Sequence, residues 1–128
     1  MVVGVGIDLV DVERIANRIS KTNGFRELVF SADEITYCEA QKNKFEHYAA
    51  RFAAKEAFFK AMGTGWAAGT LFNEVGVIHN ELGKPMFSFI GDTAKTISDM
   101  QLGTILLSLT HIKTVASAVV IIENNGNF

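Results

Sequence analysis

The stretch from Lys44 to Met62, KFEHYAARFAAKEAFFKAM, limits this chain more than any other, because it holds neither proline nor glycine and is closed by Gly63. It reads as one long central helix with a glycine stop, the residue type that most readily takes the left-handed conformation ending a helix. At roughly 100° per residue, Phe45, Tyr48, Ala49, Phe52, Glu56, Phe59 and Lys60 fall within one band. Glu56 is thereby expected inside the apolar stripe, where a carboxylate is costly unless paired, hydrogen-bonded or bound to a metal. Lys60, one turn on, is the nearest partner, and an ordinary pair at that spacing contributes a few tenths of a kcal/mol. Beside the stripe, Lys44, Arg51 and Lys55 form a basic ridge, and Gly63, Thr64 and Gly65 leave backbone N–H groups unobstructed. Cations beside bare backbone suit phosphate groups.

The N-terminal run VVGVGIDLV alternates, with Val3, Val5, Ile7 and Leu9 on a crowded face and Gly4, Gly6 and Asp8 on a bare one. The two glycines leave room for close approach by another element or a ligand. Asp8 projects from that face, and Asp11 is the better-placed cap for the helix that follows. With Glu56, Asp8 makes a pair of carboxylates, and such a pair completed by waters and phosphate oxygens is the usual way Mg²⁺ is held.

The remaining segments are read from caps, periodicity and turns. Val12, Ile15, Ala16 and Ile19 form a helical stripe that stops at Asn23 and Gly24, and Ser31 followed by Glu34 fits a capping box opening another helix. Two strands flank the turn NELG, with Pro85 starting the second, where a missing N–H is tolerated. A short helix begins near Asp92, and TILLSLTH and VASAVVII are two buried strands before a polar, frayed tail, ENNGNF. Strands and helices intersperse without regular βαβ alternation. This indicates one α+β domain over residues 1–128, with a mainly antiparallel sheet packed on the long central helix.

A net charge of −2 argues against a broad nucleic-acid surface. No apolar run reaches the ~18 residues a membrane span needs, and the first residues lack a secretory signal, so a cytoplasmic protein is expected. The only cysteine, Cys38, excludes an internal disulfide and reads as a partly buried bystander. GVGIDL lacks the third glycine of a dinucleotide-binding loop. His47 and His79 read as ordinary surface or edge residues.

GVGIDLVDVERI, RFAAKEAFFKAMGTG, ELGKP and SLTH, in that order and nearly end to end, resemble bacterial holo-[acyl-carrier-protein] synthases, which are 4′-phosphopantetheinyl transferases. The resemblance implies transfer of 4′-phosphopantetheine from coenzyme A to a serine of apo-acyl carrier protein, in support of fatty acid biosynthesis. It implies Mg²⁺ on Asp8 and Glu56, with Lys60 at the pyrophosphate. Gly63, Thr64 and Gly65 would then follow the nucleotide, Arg51 and Lys44 would meet the 3′-phosphate, and Pro85 the adenosine. Ser108, Thr110 and His111 would also reach coenzyme A, His111 as a phosphate donor. Three routes for the serine proton stay open: activation by the metal, relay through water, or direct acceptance by Glu56. The resemblance also implies a homotrimer with sites between neighbouring subunits.

On the first helix, Arg14, Arg18 and Lys21 cluster opposite the apolar stripe. The resemblance makes Arg14 a docking residue for the acidic carrier protein, and geometry extends the face to Arg18, Lys21, Phe25 and Arg26. Two other readings compete. A non-catalytic carrier-protein-binding module would need no metal carboxylates, and a hotdog-type acyl thioesterase would need no phosphate-binding cations.

Overall fold

The computed structural model describes residues 1–63, 65 and 69–124. Thr64 and the tail residues 125–128 lie outside them. Strand β1, Val2–Asp11, runs directly into helix α1, Val12–Lys21, whose first turn is capped by Asp11 accepting from the Glu13 N–H at 3.2 Å. A five-residue helix, α2, Phe25–Val29, follows; too short for a periodic signature, it is absent from the sequence reading. Helix α3, Ala32–Glu39, opens with the expected capping box, in which Ser31 Oγ accepts from the Glu34 N–H and Glu34 Oε1 accepts from the Ser31 N–H. Helix α4, Lys44–Met62, is the long central helix, and Gly63 ends it at φ +77°. A 3-10 turn, Phe72–Glu74, leads into β2, Val75–His79, and β3, Pro85–Phe89; α5, Gly91–Asp99, β4, Thr104–His111, and β5, Val115–Glu123, complete the chain.

All strand pairs are antiparallel and form two sheets, β1-β5-β4 and β2-β3. Helix α4 packs on the inner face of the larger sheet, against Gly4, Gly6 and Val10 of β1 and Ala118, Val120 and Ile122 of β5. The bare face of β1 is thus the covered one. A methyl group added at Gly4 or Gly6 would overlap the carbonyl oxygens of Ala61 or Ala57, so the glycines set how near helix and strand approach. The crowded face, Val3, Val5, Ile7 and Leu9, is between 55% and 69% exposed.

The single apolar stripe expected on α4 is corrected as well. The helix is buried almost all round, through Ala50, Ala53, Ala54, Ala57 and Phe58 as well as Tyr48, Ala49 and Phe59. A helix enclosed on several sides has no single buried stripe to read. Phe45, Phe52 and Glu56 lie on its half-buried side, so Glu56 stands at the rim of the core.

Lys55 does not join an accessible basic ridge. Its side chain is 0% exposed, and Nζ donates to Glu34 Oε1 at 2.7 Å and to the carbonyls of Phe72 and Val75 at 2.9 Å and 2.6 Å. Glu34 Oε2 accepts from the Val77 N–H at 3.1 Å. The capping glutamate of α3 is therefore also the counter-ion that ties α3, α4 and β2 together. All three ammonium protons are engaged, which leaves none for a phosphate. Cys38 is fully rather than partly buried, and burial pushes its thiol up to about 12.

Candidate functional site

Sequence-predicted residues gather in two clefts that share no lining residue. The first, of about 300 Å³, is lined by Asp8 from β1, Arg14 and Arg18 from α1, and Phe52, Glu56 and Lys60 from α4. Asp8 reaches it because the Gly4–Gly6 face of β1 meets α4, and Phe52, Glu56 and Lys60 follow at one-turn intervals on one helix face. Lys60 Nζ donates to Asp8 Oδ1 at 2.9 Å and to the Ile7 carbonyl at 3.1 Å, so its partner is Asp8 across the packing interface and not Glu56 one turn back.

Among the described residues no hydrogen-bond or ion-pair partner is found for the Glu56 carboxylate. Burial first, and the Asp8 charge second, push its carboxyl above the ordinary carboxylate range, with Lys60 and Arg14 opposing. Two carboxylates facing one cleft, one of them unpartnered, fit a divalent cation that takes its other ligands from water and phosphate. No group of three or more His, Cys, Asp or Glu able to hold a metal occurs among the described residues.

The second cleft, of about 210 Å³, is lined by His47 and Arg51 of α4, His79 at the end of β2, Gly83, Pro85 of β3, and Ser108 and His111 of β4. Arg51 is 1% exposed. Its guanidinium lies 4.3 Å from the Tyr37 ring centre, Nη1 donates to the His47 carbonyl at 3.4 Å, and Nη2 lies 3.3 Å from His79 Nδ1. Nε has no hydrogen-bond partner, and no carboxylate pairs with this cation among the described residues. His111 Nδ1 sits 2.9 Å from Glu46 Oε1, and this contact holds the Glu46 carboxyl below its usual range. A buried cation without a counter-ion is costly, and an anion in this cleft would offset that cost.

Arg51, Pro85, Ser108 and His111 thus meet as expected, whereas His47 and His79 are corrected from edge residues to lining residues. His47 precedes Arg51 by one helical turn, a signal the sequence did carry. His79 comes through the β2-β3 pairing, which no local pattern announces. Thr110 lies on the exposed outer face of β4, and Gly63 and Gly65 line neither cleft. Lys44 pairs with Glu39 at 3.3 Å and also stands outside both. On the α1 face, Phe25 packs against Phe52 and beneath Arg18, whose guanidinium is 5.8 Å from the ring centre. Lys21 is exposed beyond the cleft, and Arg26 is held by Glu27 at 2.8 Å and Glu39 at 3.5 Å, which largely cancels its charge.

Residues 4–116 match the family described as the 4′-phosphopantetheinyl transferase superfamily. The chain is 44% identical to the holo-[acyl-carrier-protein] synthase of Cytophaga hutchinsonii, with 98% of this chain and all of that protein covered. Its fold is similar to the crystal structure of the Neisseria meningitidis synthase, with a TM-score of 0.87 at 30% identity, covering 97% and 100% of the two chains. It is also similar to the Bacillus anthracis synthase solved in complex with CoA (3′,5′-ADP), with a TM-score of 0.80 at 31% identity, covering 98% and 99%. No helix among the described residues is long and apolar enough to cross a membrane.

Proposed function

The chain belongs to the holo-[acyl-carrier-protein] synthases of the 4′-phosphopantetheinyl transferase superfamily, and from that premise we propose how its two clefts divide the reaction. The reaction moves 4′-phosphopantetheine from coenzyme A to a serine hydroxyl of acyl carrier protein, releases adenosine 3′,5′-bisphosphate and serves fatty acid biosynthesis. The serine oxygen forms a bond to the phosphorus that carries pantetheine, and the bond from that phosphorus to the bridging oxygen breaks. The thioesterase and non-catalytic readings end with the family.

Asp8 and Glu56 would hold Mg²⁺ in the first cleft. Bound there, the ion would offset the negative charge that grows on the adenosine 5′-phosphate as the pyrophosphate is split. Lys60, 54% exposed on a flexible stem, exchanges its contact with Asp8 for a pyrophosphate oxygen and stabilises the leaving group electrostatically. Arg51 and His111 receive the 3′-phosphate in the second cleft, where the unpaired guanidinium lacks only an anion, and Pro85 lies against the adenosine. Arg14 and Arg18, with Phe25 and Lys21 beside them, receive the acidic carrier protein at the mouth of the first cleft.

The protein acts as a homotrimer. The three-fold state follows the family resemblance; an interface between copies is supported by the outer face of β1, where Val3, Val5, Ile7 and Leu9 form an apolar strip open to solvent.

The observation that carries the reading is the meeting of Asp8 with an unpartnered Glu56 in one cleft. Intact-mass measurement of apo-carrier protein incubated with coenzyme A and Mg²⁺ tests it. Asp8→Asn and Glu56→Gln should each abolish the mass gain while the circular dichroism spectrum is kept. Near wild-type rates at limiting Mg²⁺ in either variant would remove the two-carboxylate site.

A further inference from the structure

All three histidines of the chain line the cleft around Arg51, although they come from three different elements. His47 and His111 stand with ring centres 5.0 Å apart, and Tyr37 bridges the set, 5.6 Å from the His47 ring and 5.1 Å from that of His79. Among the described residues, His111 is the one histidine in ion-pair contact with a carboxylate, that of Glu46. His47 faces Tyr37 from α3, Glu46 and Arg51 from its own helix, His79 from β2 and His111 from β4; His79 faces Arg51 and Tyr37. Around His47 and His79, then, positive or neutral groups outnumber the single acid, and the cation at the centre is buried and short of a hydrogen-bond partner.

We propose that His47 and His79 are additional ligands for a dianionic phosphate ester at Arg51, each becoming protonated as the phosphate enters, so that binding of this ester is coupled to proton uptake. The proposal rests on the reading of this cleft as the 3′-phosphate end of coenzyme A and deepens it. The physical cause is local charge. Burial lowers the proton affinity of both imidazoles, with His111 and then Arg51 adding to this at His47 and Arg51 alone at His79. An entering dianion reverses the sign of the field at both rings, and a nearby opposite charge favours the charged imidazole. Each ring can then donate from both nitrogens, His79 by turning its Nδ1 away from the Arg51 N–H that it accepts, and the phosphate gains charge-assisted hydrogen bonds that a neutral imidazole supplies only in part. Linkage requires that a ligand which raises proton affinity binds more tightly as pH falls.

The test compares binding of coenzyme A and dephospho-coenzyme A, which differ by the 3′-phosphate alone, to the full protein with Mg²⁺ between pH 8.5 and 6.5 at constant ionic strength. This window keeps the phosphate, with a second pKa of about 6, mostly dianionic. The expected result is a coenzyme A to dephospho-coenzyme A affinity ratio that rises about tenfold toward pH 6.5. Calorimetry in buffers of different ionisation heat should show proton uptake for coenzyme A alone. In the double variant His47→Gln, His79→Asn, which keeps polar groups that do not titrate here, the ratio should stay above one through Arg51 but become independent of pH. A ratio above one that is flat with pH in the wild type, or a slope kept by the double variant, would overturn the proposal and leave Arg51 as the phosphate residue. A ratio of one at every pH would overturn both, since the cleft would then not hold the 3′-phosphate.

Discussion

Lys55 and Lys60 stand on the same face-crowded helix, and each has a carboxylate partner at under 3 Å, Glu34 at 2.7 Å and Asp8 at 2.9 Å. Their surroundings differ in every other respect. The Lys55–Glu34 pair is 0% and 1% exposed, with both remaining ammonium protons given to backbone carbonyls and the carboxylate taking backbone N–H groups besides. The Lys60–Asp8 pair is 54% and 16% exposed, so its lysine reaches solvent while Asp8 stays partly covered at the cleft. Two identical side chains thus do opposite work. A saturated, dry cation holds elements in place, while a wet, partly engaged one is free to meet a substrate.

The largest effect should come from breaking the dry pair. Lys55→Met leaves Glu34 buried without its counter-ion and should cost about 3–5 kcal/mol of stability, read as a shift in urea midpoint at unchanged slope. A loss below about 1 kcal/mol would erase the distinction between the two lysines. Lys60→Met should barely move that midpoint, since exposed pairs contribute about 0–1 kcal/mol. It should instead slow the chemical step about a hundredfold, the scale of a lost transition-state charge partner, with a smaller change in coenzyme A affinity. Single-turnover kinetics separate the two, and a change confined to affinity would make Lys60 a binding residue only.

Smaller again is the expected effect at the mouth of the same cleft. Arg14→Glu with Arg18→Glu should raise the KM for apo-carrier protein severalfold and flatten its salt dependence, because complementary charge chiefly speeds encounter and is screened within about 8 Å at physiological ionic strength. Equal salt slopes for the two proteins would refute the docking face. Least of all should be the stability change at Glu56. Its carboxyl is raised from its ordinary value of 4.5, so the folded chain binds the proton more tightly than the unfolded one. The stabilisation is complete below 4.5 and is lost as pH rises through the raised value. At neutral pH without metal, Glu56→Gln should therefore melt at the same or a slightly higher temperature, while added Mg²⁺ should raise the melting temperature of the wild type more than that of the variant. A variant that melts lower and still gains equally from Mg²⁺ would contradict the site.

Asp8, Glu56 and Lys60 were legible because each sits in an informative local pattern: a bare strand face, an acid at helical spacing among aromatics, and a lysine one turn further. The resemblance supplied their common purpose. The second cleft was legible only in part. Arg51 shows in the basic ridge beside the helix stripe, Pro85 and His111 came from the resemblance, and His47 and His79 looked ordinary because nothing near them in the chain shows that β2 and β4 close over the N-terminal half of α4. Lys55 was misread for a related reason: its partner Glu34 had already been explained by the capping box.

What the sequence determined by itself is the local order of the chain: the Ser31 capping box, the Gly63 stop, the hairpin before Pro85 and the two final strands. The capping box and the stop rest on interactions between residues within about a turn of one another, and the strands on side-chain alternation bounded by turn residues, so each pattern is written in the local chain. Which face of β1 is buried, which α4 lysine is dry, and which histidines surround Arg51 were decided only by the tertiary structure. Burial is a property of what packs against a surface, and on β1 the smooth glycine face admits a helix backbone that the valine and isoleucine face would hold away.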